Sequence, residues 1–335
     1  MPPTGHKDTK PTIPSPFKVA TGPPMTKKSS AFGRGPNPQN VDKPIPQTKL
    51  TPLAGQLPIA AGNKQYEIHT GDCQNLNAVV KPASVDMVFA DPPFNIGHKY
   101  DVYHDSKSKA EFIEWLAYRM GICKTVMKPD ASLFMCMGVA LQAEAKVMLD
   151  RLGFYHRDTI VWHYTFGPCQ ASKFTPSWVA IHYYTMHPKR FTWNQDAIKV
   201  PSARQLKYKD ARAKKGGKTP DNVWLLAGID GFEEAFFPQD NVMLESRVAG
   251  THNERTPHPA QMPLSIMNRL IAVATNKGDT VFDPFAGSGT TLEAAVMLGR
   301  KAIGYELSAD YVKGIIIPRM EPVCRRAALL EKQTS

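Results

Sequence analysis

The stretch Phe282-Asp283-Pro284-Phe285-Ala286-Gly287-Ser288-Gly289-Thr290-Thr291 decides the fold of this chain. An apolar strand ends in an acidic residue, Gly287 and Gly289 make a tight turn, and the two threonines open a helix. Glycine lets backbone approach a ligand closely, and the first turn of a helix leaves N–H groups free to bind it. The following strand, residues 301–305, runs into Glu306, which is placed to accept hydrogen bonds from a ribose diol. A phosphate-cradling P-loop requires Gly-Lys-Ser/Thr, whereas Gly289 is followed by Thr290. A nicotinamide fingerprint requires a third glycine where Leu292 stands. A nucleoside ligand without a pyrophosphate, such as S-adenosylmethionine, meets neither objection. The spacing alone also admits a plain strand-to-helix connection.

Upstream of this turn the chain repeats the same alternation. Residues 65–70 read as a strand running into Gly71-Asp72, and residues 85–90 as a buried strand ending in Asp91-Pro92-Pro93-Phe94. A helix is expected over 108–126, with Phe112, Leu116 and Met120 on one face, then a strand over 132–137 and a helix over 141–152. Strands are expected over 159–164, 178–186 and 280–282, with helices over 263–274 and 291–298. Alternation of this kind builds an α/β fold with a mostly parallel sheet covered on both faces. Ligands of such sheets bind at the carboxyl ends of strands, where Asp72, Asp91, Asp283 and Glu306 all fall.

Composition divides the 335 residues. Residues 1–63 hold 13 of the 29 prolines and few large apolar side chains, which predicts a disordered basic tail. Residues 64–188 and 254–320 form two halves of one domain, residues 189–253 an irregular basic insert between them, and residues 321–335 a C-terminal tail. The net charge of +11 is concentrated, with +6 in residues 1–63, +8 in residues 189–218 and −3 over the rest. Such a distribution suits a polyanionic partner. Five scattered cysteines, with no Cys-x-x-Cys, speak against structural zinc and a disulfide framework. No apolar run is long enough to cross a bilayer and the N-terminus lacks a secretory core, so a cytoplasmic protein is expected.

The Asp-Pro-Pro-Phe tetrapeptide can set a carboxylate, a carbonyl and an aromatic face in one rigid loop. An amino group on a nucleobase is a poor nucleophile, because its lone pair is delocalised into the ring. If Asp91 and the Pro92 carbonyl accept its two hydrogens, the lone pair turns towards a methyl donor, while Phe94 stacks on a base that has left the duplex. The bland reading is a strand-terminating turn with a capping aspartate.

Gly71-Asp72, Asp91-Pro92-Pro93-Phe94, the basic insert, His258-Pro259-Ala260-Gln261-Met262-Pro263, Asp283 to Thr291 and Gly304-Tyr305-Glu306 follow in an order that resembles the beta group of amino-methylating DNA methyltransferases. There the catalytic loop precedes the cofactor loop, a circular permutation of the commoner order. The resemblance covers residues 65–317 and implies a Rossmann-like, seven-stranded sheet with one antiparallel strand near its edge. It implies a site-specific enzyme that carries a methyl group from S-adenosylmethionine to an exocyclic amino group of double-stranded DNA. Adenine N6 is favoured over cytosine N4 by the leading Asp91, and a catalytically silent DNA-binding homologue is the reading from another class. Asp91, Pro92, Pro93 and Phe94 are implied as catalytic. Asp72 and Cys73 would face the cofactor adenine and Glu306 the ribose. Asp283, Phe285, Gly287, Ser288, Gly289, Thr290 and Thr291 would surround the methionine part, with His258 and Gln261 beside it. Met262 stands where relatives usually carry lysine, and Phe94 where tyrosine is more frequent. The insert takes the place of the target-recognition region, where Arg204, Lys207, Lys209, Arg212, Lys214, Lys215 and Lys218 would meet DNA. No metal is implied, and monomer and homodimer stay equally open.

Overall fold

The structure, a computed structural model, describes residues 59–164, 171–206, 208–213, 216–224, 248 and 254–334. Nine strands among the described residues form one sheet: β1 (Ile59–Gly62), β2 (Tyr66–Thr70), β3 (Val85–Ala90), β4 (Met127–Gly138), β5 (Tyr155–His163), β6 (Trp178–Thr185), β7 (Val223–Trp224), β8 (Thr280–Asp283) and β9 (Lys301–Glu306). Their order is β1-β2-β9-β8-β3-β4-β6-β5-β7. From β2 to β4 every neighbouring pair is parallel, and β6 runs antiparallel between β4 and β5. The expected seven-stranded sheet with its one reversed strand is therefore present as β2 to β5, with a short strand added at either edge.

Strand β3 shows why its run is apolar throughout. Val88 and Ala90 pack on α1 (Lys109–Val126) and α2 (Gln142–Arg151), while Met87 and Phe89 pack on α3 (Leu264–Ala274), α4 (Thr290–Met297) and α5 (Ile317–Thr334). Alternate side chains thus serve opposite faces, and each large one buried is worth roughly 1.5–3 kcal/mol. Helix α1 starts where expected because Ser108 and Glu111 form a capping box, the Ser108 N–H donating to Glu111 at 2.9 Å. Phe112, Leu116 and Met120 are fully buried along its inner stripe.

Strand β8 leads through α4 to β9 on one side, and β3 leads through α1 to β4 on the other. The two connections leave on opposite faces, so a crevice opens between the ends of β3 and β8.

Two boundaries differ from expectation. The tail expected over 1–63 lies outside the described residues as far as residue 58, but Ile59–Gly62 is strand β1, paired antiparallel with β2. Order thus begins before Lys64, because β2 offers an edge that a short segment can pair. The C-terminal tail expected from 321 is instead α5, which runs to Thr334. Met320, Val323 and Ala327 recur at helical spacing and are buried on the α3–α4 side, which outweighs the hydrogen bond lost at Pro322. Among the described residues no helix is long and apolar enough to cross a membrane.

Candidate active site

The register of β3 against β8, Met87 opposite Val281 and Val88 opposite Phe282, brings Asp91 and Asp283 out side by side. Both line a cleft of about 1030 Å³ at the strand ends. Burial, and then the charge of Asp283, pushes the Asp91 carboxyl up to about 7. Asp283 is pushed to about 6 by burial, against hydrogen bonds from the Thr291 side chain and, at 2.9 Å, the Phe285 N–H.

Gly287 and Gly289 hold φ of +53° and +79°, the left-handed region where a side chain is strained. A Cβ on Gly287 would also come within 3.0 Å of the His258 ring, and one on Gly289 within 3.2 Å of Ile316. The turn is closed by Glu306, whose two carboxylate oxygens accept the N–H groups of Gly287 at 2.9 Å and Ser308 at 2.8 Å. Each oxygen keeps a lone pair for a ligand hydroxyl. Burial pushes Glu306 up to about 7 despite those bonds, with the charges of Asp283 and Asp101 adding to the shift. His258 is pushed down to about 4 by burial and stays neutral at physiological pH.

Of the cofactor residues expected from sequence, Asp72, Cys73, His258, Gln261, Asp283, Phe285, Gly287, Ser288, Thr290, Thr291 and Glu306 line this one cleft, as do Asp91, Pro92, Pro93 and Phe94. Gly289 does not; it stands behind the wall as the N-cap of α4. The expected DNA contacts lie elsewhere. Arg204, Lys209 and Arg212 are exposed and Lys218 is partly buried, whereas Lys207, Lys214 and Lys215 lie outside the described residues. Arg212 and Lys218 are ion-paired with Asp210 and Asp221.

Residues 85–317 match the N6_N4_Mtase family, described as DNA methylase. The chain belongs to this family of N6/N4 DNA methylases. It is 31% identical over 231 residues to the type II methyltransferase M.HpaI of Haemophilus parainfluenzae, covering 69% of this chain and 66% of that one, just under two thirds of its length. It is 31% identical over 275 residues to the DNA adenine methyltransferase YhdJ of Escherichia coli (strain K12), covering 77% and 84%. In fold it resembles the PvuII DNA methyltransferase (cytosine-N4-specific), with a TM-score of 0.52 at 17% identity over 82% of this chain and 95% of that one. TTHA0409 of Thermus thermophilus, described as a DNA modification methylase complexed with S-adenosyl-L-methionine, gives 0.50 at 22% identity over 77% and 95%.

The methylase also sets residues around its cleft that sequence reasoning passed over. Arg119 of α1 is buried and ion-paired with Asp72, its Nε donating to the carboxylate at 3.1 Å. Its guanidinium lies 4.1 Å from the centroid of Trp115, which in turn faces Phe285 at 5.9 Å. The signal was available: Arg119 follows Leu116 by three residues, so a charge stands beside the buried stripe of a helix. The loop after Phe94 reaches the same wall through Tyr100, Asp101 and Tyr103. Asp105 organises it by accepting the N–H groups of Asn95, Ile96 and His98, and Asp101 accepts the Ser308 hydroxyl. Tyr164 and Trp178, at the facing ends of β5 and β6, complete the aromatic lining near Phe94.

Proposed function

We propose that this chain transfers a methyl group from S-adenosylmethionine to the exocyclic amino group of a base flipped out of double-stranded DNA, adenine N6 being the target. The observation that carries the reading is the side-by-side emergence of Asp91 and Asp283 in one cleft. A substrate arm and a cofactor arm meet at those two carboxyls.

The cleft fits the cofactor. Asp283 and Glu306 suit a ligand with cationic centres and a ribose diol, and they would repel a pyrophosphate. Asp72 and Cys73, beside Trp115 and Phe285, offer a polar edge and aromatic faces to a purine. Thr290, Thr291 and Ser288 border the methionine end, with His258 and Gln261 across from them. When bound, S-adenosylmethionine supplies a methyl group made electrophilic by its sulfonium. Asp91 and the Pro92 carbonyl accept the two amino hydrogens and draw the nitrogen lone pair out of the ring. Asp91, with its raised proton affinity, takes up the proton that the nitrogen loses on methylation. Pro93 stiffens the loop, and Phe94, packed over Gly138, stacks on the flipped base. Rate comes from positioning and from a polarised amine.

Adenine is supported by the aspartate that leads the catalytic loop and by the likeness to YhdJ. Arg204, Lys207, Lys209, Arg212, Lys214, Lys215 and Lys218 supply the DNA-facing charge of the insert, and the enzyme works in the cytoplasm on the nucleoid. The test is to map base modifications in the DNA of a host that makes the protein. N6-methyladenine confined to one sequence motif, and lost with Asp91→Ala, is the expected result. N4-methylcytosine would move the target to the other base. Unmodified DNA from a host rich in folded protein would overturn the reading.

A further inference from the structure

Phe174 is 99% exposed, whereas the next most exposed large apolar side chains, Ile96 and Tyr208, reach 67% and 66%. It lies between β5 and β6, at the strand ends where the cleft opens. Its neighbours Lys173 and Pro176 line the cleft that holds Asp91 and Phe94, while Phe174 itself does not. The base of the segment is pinned where the Tyr164 N–H donates to the Ser177 carbonyl at 2.7 Å, and Pro176 fixes the backbone above it. A stiff stem therefore carries a cation towards the cleft and an unpacked phenyl ring beside its mouth.

We propose that residues 172–176 form the finger that extrudes the target base, with Phe174 entering the duplex in its place and Lys173 holding the phosphate of the displaced nucleotide. The inference rests on the reading of this chain as a base-flipping methyltransferase. Extrusion leaves an apolar gap between stacked bases, and an aromatic or aliphatic wedge fills such a gap. A phenyl ring left wholly in water has no packing role in the free protein, so its apolar surface is gained back only against a partner. Lys173 fits an anionic partner, and continuity with the catalytic cleft makes that partner the substrate duplex. Phe94 is already in the cleft to stack on the base, so the two aromatics act on opposite sides of the same event.

The experiment measures single-turnover methyl transfer on two oligonucleotide duplexes carrying the mapped motif, one fully paired and one with the target base opposite an abasic site. Phe174→Ala is expected to slow the paired duplex at least tenfold and to stay within threefold of wild type on the abasic one, while Phe174→Trp keeps most of the rate. S-adenosylmethionine binding checks that each variant folds. Lys173→Gln is expected to lower the slope of log affinity against log salt by about one and leave cofactor affinity unchanged. Equal wild-type and Phe174→Ala rates on the paired duplex would overturn the wedge, and so would equal losses on both duplexes. An unchanged salt slope in Lys173→Gln would overturn the phosphate contact. A wild-type protein that binds cofactor but methylates neither duplex would overturn the functional reading beneath them.

Discussion

Asp91 owes its chemistry to where β3 stops. The strand is buried to its last residue and two prolines forbid it to continue, so the carboxyl is left among protein atoms and next to Asp283. Its role is exercised mainly at the transition state, when the amine becomes a nucleophile. Asp91→Ala should therefore lose about 10²–10⁴ in single-turnover rate while S-adenosylmethionine and DNA affinities change little. The same carboxyl sets a pH dependence. It must be ionised to accept the amino hydrogens, so kcat/KM should rise with pH and level off above about 7. Asp91, Asp283 and Glu306 interact, and the limb belongs to the cluster as a whole. A cationic ligand favours their ionised forms, so the kcat limb should lie at lower pH than the kcat/KM limb. Profiles recorded at limiting and saturating cofactor decide this, and a kcat limb at the higher pH would contradict it.

Among the elements, those with an unbroken apolar pattern were legible from sequence. The runs at 85–90, 178–186 and 280–282 and the stripe of α1 are hydrophobic because both faces of the sheet are covered. Less of β5 was visible: it begins at Tyr155, four residues before the expected start, since its first residues are exposed at the sheet's margin and carry no apolar signal. Strand β1 and helix α5 were missed for a related reason, as each depends on a partner surface that composition does not reveal. The glycine turn was legible because its constraint is local. Its prediction is local too. Gly287→Ala must hold a side chain at φ +53° and press on His258, so cofactor affinity should fall about tenfold, and Gly287→Leu should fall further. Calorimetry on the folded variants measures this. Replacing His258 by glycine in the Gly287→Ala protein should relieve the contact but not the backbone strain, recovering only part of the loss.

For the whole molecule, charge is distributed against itself: a basic insert faces outward while carboxyls crowd the cleft. The sequence located the basic segment but not the pairing within it, which depends on loop geometry. Lys218 is matched by Asp221 and Arg212 by Asp210, so neutralising Lys209 should flatten the salt dependence of DNA binding more than neutralising Lys218. Anisotropy titrations over a range of salt compare the two. The cleft has the opposite consequence for stability. Asp91, Asp283 and Glu306 all have carboxyls raised above their ordinary values. A raised acid binds protons in the folded state that the unfolded chain has already released. Stability of the ligand-free protein is therefore fullest below about pH 4 as far as these groups are concerned, and it is lost as pH climbs through about 6 to 7. Each tenfold gain in a carboxylate's proton affinity on folding is worth at most about 1.4 kcal/mol, and mutual coupling makes the three contributions less than additive. Asp91→Asn keeps the shape and removes one buried charge, so at pH 8 it should raise stability by about 1–3 kcal/mol, or roughly 2–4 °C in Tm per kcal/mol for a domain of this size. At pH 4 the wild-type carboxyl is already neutral, and the two proteins should melt together. Thermal unfolding of both proteins across that range checks the sign: a gain that is equal at both pH values would mean that asparagine packs better, and that the buried charge is not the cost.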